Sequence, residues 1–207
     1  GEVEPPIQTF APALSRGDSI FLPDGVGTCY QTALTFNDFN PGQTLNNIND
    51  LIDICVTMEH SYLGDLNISI ECPNGNSISL HQYSGGGGTF LGEPVDVDTD
   101  LSPGLGYDYC FTPTAPQTWT QAVAVGNTTL VNGNPTIAPG NYASSQSLSG
   151  LIGCPLNGTW EIEICDNLAI DNGYIFSWGI QLAPSVYPAL DSFTTGIANQ
   201  QWILNTN

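Results

Sequence analysis

Residues 157–182, NGTWEIEICDNLAIDNGYIFSWGIQL, decide the fold of this chain. Apolar and polar residues alternate over 160–165, and a period of two places each set on its own face of a strand. The Asp, Asn and Gly residues of 166–173 favour turns, because short Asx side chains bond their own backbone and glycine tolerates positive φ. A second strand pattern follows at 174–182. The stretch therefore predicts two half-buried β-strands around a short loop.

The charge balance limits the classes of partner. The 207 residues include 20 acidic residues, one Arg and no Lys, which gives a formal net charge of −19. Proteins that bind phosphate backbones need a cationic surface, so we expect no nucleic-acid partner. The same argument excludes an anionic membrane surface, and no apolar run is long enough to span a bilayer. Such a charge does attract cations, Ca²⁺ included.

The composition predicts an all-β domain. Frequent turns between short strands are indicated by 23 Gly and 15 Pro residues. Further strand patterns, read as an antiparallel meander, occur at 29–36, 48–58, 66–71 and 77–80. The loop-rich residues 112–149 are expected to cover one end of a sandwich. The first residues lack the features of a secretion signal, so we expect a mature or excised piece.

The six cysteines predict disulfides and an extracellular or cell-surface location. Their number is even, they form no C-x-x-C pair, and no nearby His suggests zinc. Strand alternation turns Cys55 and Cys165 outward and Cys72 inward, which argues against a link between Cys55 and Cys72. These directions predict Cys55–Cys165, and the pairs predicted for the remaining cysteines are Cys110–Cys154 and Cys29–Cys72.

An enzymatic site is not evident from the residue types. A Ser-His-Asp hydrolase needs a positioned base, and His60 and His81 are the only histidines. We interpret His60 as a structural residue bonded to its own turn. Glu161 and Glu163 share the outward face of one strand, where a pair of glycosidase acids facing each other across a cleft is not expected.

Calcium is the stronger chemical hypothesis. Ca²⁺ prefers carboxylate and carbonyl oxygens and often stabilises loops of β-sandwiches. The candidate ligands, not all of one site, are Asp65, Asp96, Asp98, Asp166 and Asp171. If Cys55 pairs with Cys165, Asp166 lies away from the turn that contains Asp65, and these two could not share an ion. Solvated turn aspartates remain the alternative.

Two segments resemble the P domain of proprotein convertases, also called the P/Homo B domain. The first is residues 60–75, HSYLGDLNISIECPNG, similar to that family's H-[ST]-Y-x-G-D-L pattern and Pro-x-Gly turn. The second is residues 157–178, similar to the closing pattern of the family. The scaffold positions that match are Tyr62, Gly64, Asp65, Trp160, Asp166, Gly173 and Trp178. The resemblance implies a disulfide-stabilised jelly-roll β-sandwich, like galactose-binding domains.

The resemblance covers residues 18–183. Residues 1–17 then form an extended lead-in, and 184–207 form a C-terminal segment that either completes the sandwich or begins a following module. The chain departs from the eukaryotic pattern in its six cysteines, its near absence of basic residues and its longer 84–150 region. In these features it is more similar to P domains of secreted or surface multidomain proteins of Bacteroidetes-type bacteria. In convertases the P domain is non-catalytic and helps a subtilisin-like protease to fold.

We therefore expect a non-enzymatic accessory module that stabilises or presents neighbouring domains, with Ca²⁺ as a possible cofactor. The parent protein could carry a serine endopeptidase domain outside this chain. The alternative is a binding module for a glycan or surface protein, because jelly rolls often bear aromatic-lined ligand surfaces. Aromatic candidates in the loop-rich segments are Tyr107, Tyr109, Trp119 and Tyr142. A small hydrolase is the third hypothesis.

Overall fold

The computed structural model describes residues 20–22, 25, 29–85, 87–97, 99–169, 171 and 173–188. These residues form mainly β-strands: β1 (Ile20–Phe21), β2 (Cys29–Phe36), β3 (Leu51–His60), β4 (Leu66–Glu71), β5 (Ser77–His81), β6 (Tyr107–Phe111), β7 (Thr128–Val131), β8 (Asn134–Ile137), β9 (Gly140–Tyr142), β10 (Gly158–Asp166) and β11 (Gly173–Leu182). One α-helix, α1, covers Trp119–Ala124. Short 3-10 turns lie at Ile48–Asp50, Leu63–Asp65, Leu148–Leu151 and Pro184–Val186.

The strand order is that of a jelly roll. The first sheet has the order β1-β11-β3-β6-β9, and the second has the order β2-β10-β4-β5. A separate hairpin, β7–β8, and the short β9 form an insertion. Without β7, β8 and β9, the remaining strands renumbered in chain order give sheets 1-8-3-6 and 2-7-4-5, the two interlocked Greek keys of a jelly roll. The all-β, disulfide-stabilised sandwich is therefore confirmed.

The predicted meander is wrong, although the strand ranges are close. The predicted ranges 29–36 and 66–71 coincide with β2 and β4. However, β2, β3 and β4 alternate between the two sheets, and only β4 and β5 pair as consecutive strands in this stretch. Alternation identifies the buried face of a strand but not its neighbour, so the sequence pattern could not distinguish a meander from a Greek key.

The core contains both tryptophans of the opening stretch. Trp160 and Trp178 are each 2% exposed, as predicted for core residues. Glu161 on the same strand points outward and is exposed, also as predicted. Their period-two pattern thus positions β10 and β11 with their apolar faces toward the space between the sheets.

The predicted aromatic ligand surface is wrong, because most of its members lie in the core. Trp119, Tyr109 and Tyr142 are buried and pack together, with ring centroids 5.5 to 6.4 Å apart. Thr118 caps helix α1 by accepting a hydrogen bond from Gln121 N–H, and this short helix turns Trp119 inward. Tyr107 is half-buried, and its hydroxyl donates to Glu93 Oε1 at 2.6 Å.

The disulfide pairing differs from the prediction. The bonds are Cys29–Cys165, Cys55–Cys110 and Cys72–Cys154. The predicted pairs Cys55–Cys165, Cys110–Cys154 and Cys29–Cys72 are all wrong. Cys55 and Cys165 do both avoid the core, but their strands belong to different sheets, so the two side chains point to opposite sides of the sandwich.

Two of the bonds join directly opposite residues of neighbouring antiparallel strands. Cys29 faces Cys165 with a Cα–Cα distance of 4.2 Å, and Cys55 faces Cys110 at 4.0 Å. The third bond, from Cys72, is buried beside the turn between β4 and β5. Three disulfides are consistent with an extracellular protein.

The packed region extends past Ala183. Val186 is buried, and its carbonyl accepts a hydrogen bond from Gln43 Nε2 at 2.6 Å. Tyr187 packs on Phe39 with ring centroids 5.1 Å apart. The predicted lead-in 1–17 and the rest of the C-terminal segment, 189–207, lie outside the described residues. Within the described part of the chain, no helix is long and apolar enough to cross a membrane.

Candidate functional site

Four titratable residues from different elements meet at one end of the sandwich. His60 ends β3, Asp65 lies in the 3-10 turn that leads to β4, Asp166 ends β10, and Asp171 lies in the loop between β10 and β11. The jelly-roll topology brings them together because β10 pairs with β4 and β11 pairs with β3. We call these four residues the acidic cluster.

His60 and Asp166 form a buried pair within the acidic cluster. Their side chains are 0% and 1% exposed, and His60 Nε2 lies 3.1 Å from Asp166 Oδ2. His60 Nδ1 lies 3.0 Å from both the backbone N and the carbonyl O of Tyr62, while Nε2 faces the Asp166 carboxylate. Leu168 N–H donates to the other carboxylate oxygen at 3.2 Å. The predicted role of His60 as a turn-bonded residue is confirmed, and Asp166 is the partner that sequence reasoning missed.

Two glycines among the positions that resemble P domains, Gly173 and Gly64, lie at this end of the sandwich. Gly173 lies opposite His60, and a Cβ atom at Gly173 would come within 2.2 Å of His60 Cδ2. Only glycine therefore leaves room for the imidazole ring. The carbonyl of Gly64 accepts hydrogen bonds from the N–H groups of Ser84 and Gly85, both at 3.1 Å. These contacts attach the loop after β5 to the same end of the sandwich.

The prediction that Asp65 lies away from Asp166 is wrong. Asn167, next to Asp166, donates from its backbone N–H and its Nδ2 to the carbonyl of Asp65, at 3.1 and 2.8 Å. The separation was inferred from the incorrect disulfide Cys55–Cys165. Cys165 bonds instead to Cys29 on β2, and the other edge of β10 pairs with β4, where Asp166 lies opposite Leu66.

The carboxyl groups of Asp65 and Asp171 lie close enough to shift each other's pKa. Asp65 is 2% exposed, and its Oδ1 receives no N–H or O–H donor from the described residues. Burial, followed by the contact with Asp65, raises the pKa of Asp171 to about 7. Burial likewise raises the pKa of Asp65. Two carboxyl groups in contact require a proton or a cation between them.

The remaining calcium candidates do not join the acidic cluster. Asp96 is exposed in the loop before β6, and Asp98 lies outside the described residues. Among the described residues, two groups of three potential ligand side chains bring their ligand atoms within 4.8 Å of one another. Each group contains a disulfide, Cys29–Cys165 with Glu163 or Cys55–Cys110 with Asp53. Bonded sulfurs offer no thiolate, so neither group fits a metal site.

Neither histidine offers an accessible base. His81 is 2% exposed, and its Nε2–H donates to the carbonyl of Leu63 at 3.1 Å. Burial lowers the pKa of His81 to about 4, so its imidazole is neutral at physiological pH. Ser61, the hydroxyl nearest to His60 in sequence, is 1% exposed. A hydrolytic triad would need a base and a nucleophile open to substrate.

A buried acid that the sequence pattern did not reveal is Glu59. It precedes His60 in β3, points to the opposite side of the first sheet, and is 1% exposed. Gly104 N–H donates to Glu59 Oε1 at 3.2 Å, whereas Oε2 has no partner among the described residues. Burial raises the pKa of Glu59 to about 7. Alternation places Glu59 on an outer face, where Gly92 and Gly104 lie against its side chain.

The outer face of the first sheet carries a groove of about 450 Å³ over the Cys55–Cys110 disulfide. We call it the disulfide groove. Besides the two cysteines, its polar and small lining residues are Asp53, Thr57, Asp108, Ser177, Gly179 and Gln181. They belong to the neighbouring strands β11, β3 and β6.

Comparison with known proteins does not assign a family. No protein-family model matches the chain, and no curated protein matches it at a significant level. The resemblance to P domains therefore remains a prediction from the two quoted segments. The jelly-roll fold and the geometry of the two sites are the observations from which a function can be proposed.

Proposed function

We propose that the chain is a non-catalytic accessory module of a secreted multidomain protein, of the P-domain kind, which stabilises or presents neighbouring domains. One observation carries this proposal. The two segments that resemble P domains, far apart in sequence, meet in the buried His60–Asp166 pair and in the hydrogen bonds from Asn167 to Asp65. Residues of the resemblance thus hold the sandwich together instead of facing solvent, which supports a scaffold role.

The closure of the fold also supports a modular role. The first described strand, β1, pairs antiparallel with the last described strand, β11. A domain whose first and last strands are neighbours can be attached to other domains without rearrangement of its core. The three disulfides and the high acidic charge suit a secreted protein.

Deletion within the natural gene product tests the accessory role. Removal of residues 20–188 is expected to lower the melting temperature or the secreted yield of the remaining domains. His60→Ala should cause part of the same loss by unfolding the module, while Glu161→Gln, on the outer face of β10, should cause none. A gene product that consists of this module alone would contradict the proposal. Turnover of peptide, ester or glycoside substrates by the isolated chain would also contradict it.

We further propose that the contact between Asp65 and Asp171 accommodates a calcium ion. Their two carboxyl groups are hard oxygen ligands, and Asp65 Oδ1 is buried without a donor among the described residues. Calcium commonly completes its coordination with backbone carbonyls and water, so two side chains suffice to begin a site. The ion would replace the proton that the two carboxyl groups otherwise share, and it would attach the β10–β11 loop to the turn after β3.

Calcium binding is tested by the melting temperature at pH 7.5 in Ca²⁺ and in EDTA. Saturating Ca²⁺ should raise it by about 5 °C or more, because a ligand that binds only the folded state stabilises that state. Asp171→Asn should abolish the increase, whereas Asp108→Asn, on an exposed position of β6, should retain it. An identical melting temperature in Ca²⁺ and EDTA would show that a shared proton joins the two carboxyl groups and that no ion binds.

A further inference from the structure

The disulfide groove has a regular arrangement of side chains on its three strands. One row across the sheet consists of Ser177, Thr57 and Asp108, which lie opposite one another on β11, β3 and β6. The next row consists of Gly179 and the Cys55–Cys110 disulfide. The third row pairs Gln181 with Asp53. Gly179 and the disulfide form the shallow bottom of the groove. The row on one side of them contains Asp108, and the row on the other side contains Asp53.

The acid at one end is positioned by its neighbours. Ser177 Oγ–H donates to Thr57 Oγ1 at 2.7 Å, and Thr57 Oγ1–H donates to Asp108 Oδ1 at 2.7 Å. These two hydrogen bonds hold the Asp108 carboxylate beside the row that contains the disulfide. They engage only one of its two oxygens. Asp108 itself is exposed, so its second oxygen can accept from a ligand.

The acid at the other end has no partner within the described chain. Asp53 is half-buried, and its carboxylate lies within 4.8 Å of the sulfurs of Cys55 and Cys110. None of the described residues donates a hydrogen bond to it. A partly desolvated carboxylate beside an apolar floor gains most from a cationic donor whose apolar stem covers that floor.

We propose that the disulfide groove binds a basic segment of a partner protein in an extended conformation, through two Arg or Lys side chains four positions apart. The Cα atoms of Asp53 and Asp108 are separated by two rows along the strands and by one strand across, which gives about 14 Å between these two positions. In an extended peptide, residues i and i+4 point to the same side about 13 Å apart. The chain has one Arg and no Lys, so it cannot supply both cations itself.

The volume of the groove and the negative charge of the protein both suit a basic peptide segment. A volume of about 450 Å³ accommodates a few side chains. A protein of net charge −19 attracts cationic segments over a distance, and the spacing of the two carboxylates then selects among them. A glycan is less suited, because the described lining of the groove offers no exposed aromatic ring for stacking.

The test uses two peptides of identical composition and charge. The first, acetyl-Arg-Gly-Ser-Gly-Arg-amide, has its Arg residues four positions apart, and the second, acetyl-Gly-Arg-Arg-Ser-Gly-amide, has them adjacent. Titration followed by NMR at about 0.15 M salt should show at least fivefold tighter binding of the first peptide. Its amide shift changes should be centred on Gly179 and the strands beside it. Equal affinity of the two peptides, or shift changes spread over the whole surface, would overturn the proposal.

Matched double variants provide the control for general electrostatic attraction. Asp53→Asn with Asp108→Asn removes two charges from the disulfide groove. Glu71→Gln with Glu161→Gln removes two charges from opposite, exposed positions of the second sheet. The first pair should weaken binding of the spaced peptide at least tenfold, and the second less than twofold, with unchanged melting temperatures. Equal losses would mean nonspecific attraction, and no loss in the first pair would place the peptide elsewhere.

Discussion

The acidic cluster and the disulfide groove are both built from aspartates on the same sandwich, yet the chain treats their charges in opposite ways. In the acidic cluster, Asp166 is 1% exposed and is compensated by His60 at 3.1 Å. In the disulfide groove, Asp53 is half-buried and has no partner among the described residues. Removing the partner of a buried carboxylate is strongly destabilising, whereas a carboxylate left without a partner at the surface is available to a ligand.

Glu59 shows what burial without a charged partner does. It adjoins His60 in β3 and points to the other side of the first sheet, where Gly92 and Gly104 lie against it. For Glu59 the fold provides one backbone N–H and no side-chain donor among the described residues, and burial raises the pKa of Glu59 to about 7. The three acids thus differ in their surroundings: Asp166 has a histidine partner, Glu59 is buried without one, and Asp53 stays partly exposed.

The largest effect is expected when the compensation in the acidic cluster is removed. His60→Ala should lower the free energy of unfolding by about 3 to 5 kcal/mol, because it leaves the Asp166 carboxylate buried and unpaired. Urea denaturation at pH 7 measures this change. The decrease in stability includes a cavity contribution from the lost ring.

The double variant His60→Ala with Asp166→Asn separates these contributions. Neutralising Asp166 should restore about 1 to 2 kcal/mol, because a neutral amide costs less to bury than a carboxylate. Glu161→Gln on the same strand is the control and should leave the stability within about 0.5 kcal/mol. If the double variant is no more stable than His60→Ala, the pair does not compensate a charge.

An effect of intermediate size is expected for Glu59. Folding raises its pKa from the ordinary 4.5 to about 7, so between these values the folded state binds a proton that the unfolded state has lost. This contribution to the free energy of unfolding is present below pH 4.5 and is lost as the pH rises to about 7. Glu59→Gln does not titrate, so its stability relative to the wild type should increase by about 3 kcal/mol between pH 4 and pH 8.

The measurement for Glu59 is a series of denaturation curves across that pH range for both proteins. Other acids with raised pKa values, such as Asp171, titrate in both, and their contributions cancel in the difference. Glu93→Gln is a suitable second control, because Glu93 is less buried. A difference between the wild type and Glu59→Gln that does not change with pH would show that Glu59 stays ionised in the folded protein.

The fold could be predicted largely from local patterns. Alternation at 160–165 correctly gave the buried face of β10, including Trp160, because side-chain direction has a period of two. The neighbour of each strand could not be obtained in this way, because pairing depends on the whole topology. The three incorrect disulfides follow from that limit. Cys55 and Cys165 have the predicted outward direction, but on opposite sheets.

The candidate site was predictable only in part. Asp65, Asp166 and Asp171 were recognised as oxygen-rich positions, yet their meeting depends on β10 lying between β2 and β4. Burial of Glu59 depends on a loop with no periodic pattern. The disulfide groove depends on Gly179 lying opposite Cys55, which is a matter of register. Sequence patterns identify residue types, and tertiary pairing decides which of them become neighbours.

The smallest effect on stability is expected for Asp53 in the disulfide groove. Asp53→Asn should change the free energy of unfolding at pH 7 by no more than about 0.5 kcal/mol, because its carboxylate compensates nothing in the described structure. Burial raises the pKa of Asp53, so any small change should be stabilising. Urea denaturation beside His60→Ala gives the contrast directly. A loss above about 1 kcal/mol for Asp53→Asn would mean that Asp53 stabilises the fold. It would contradict the inference that the Asp53 carboxylate is available to bind a partner.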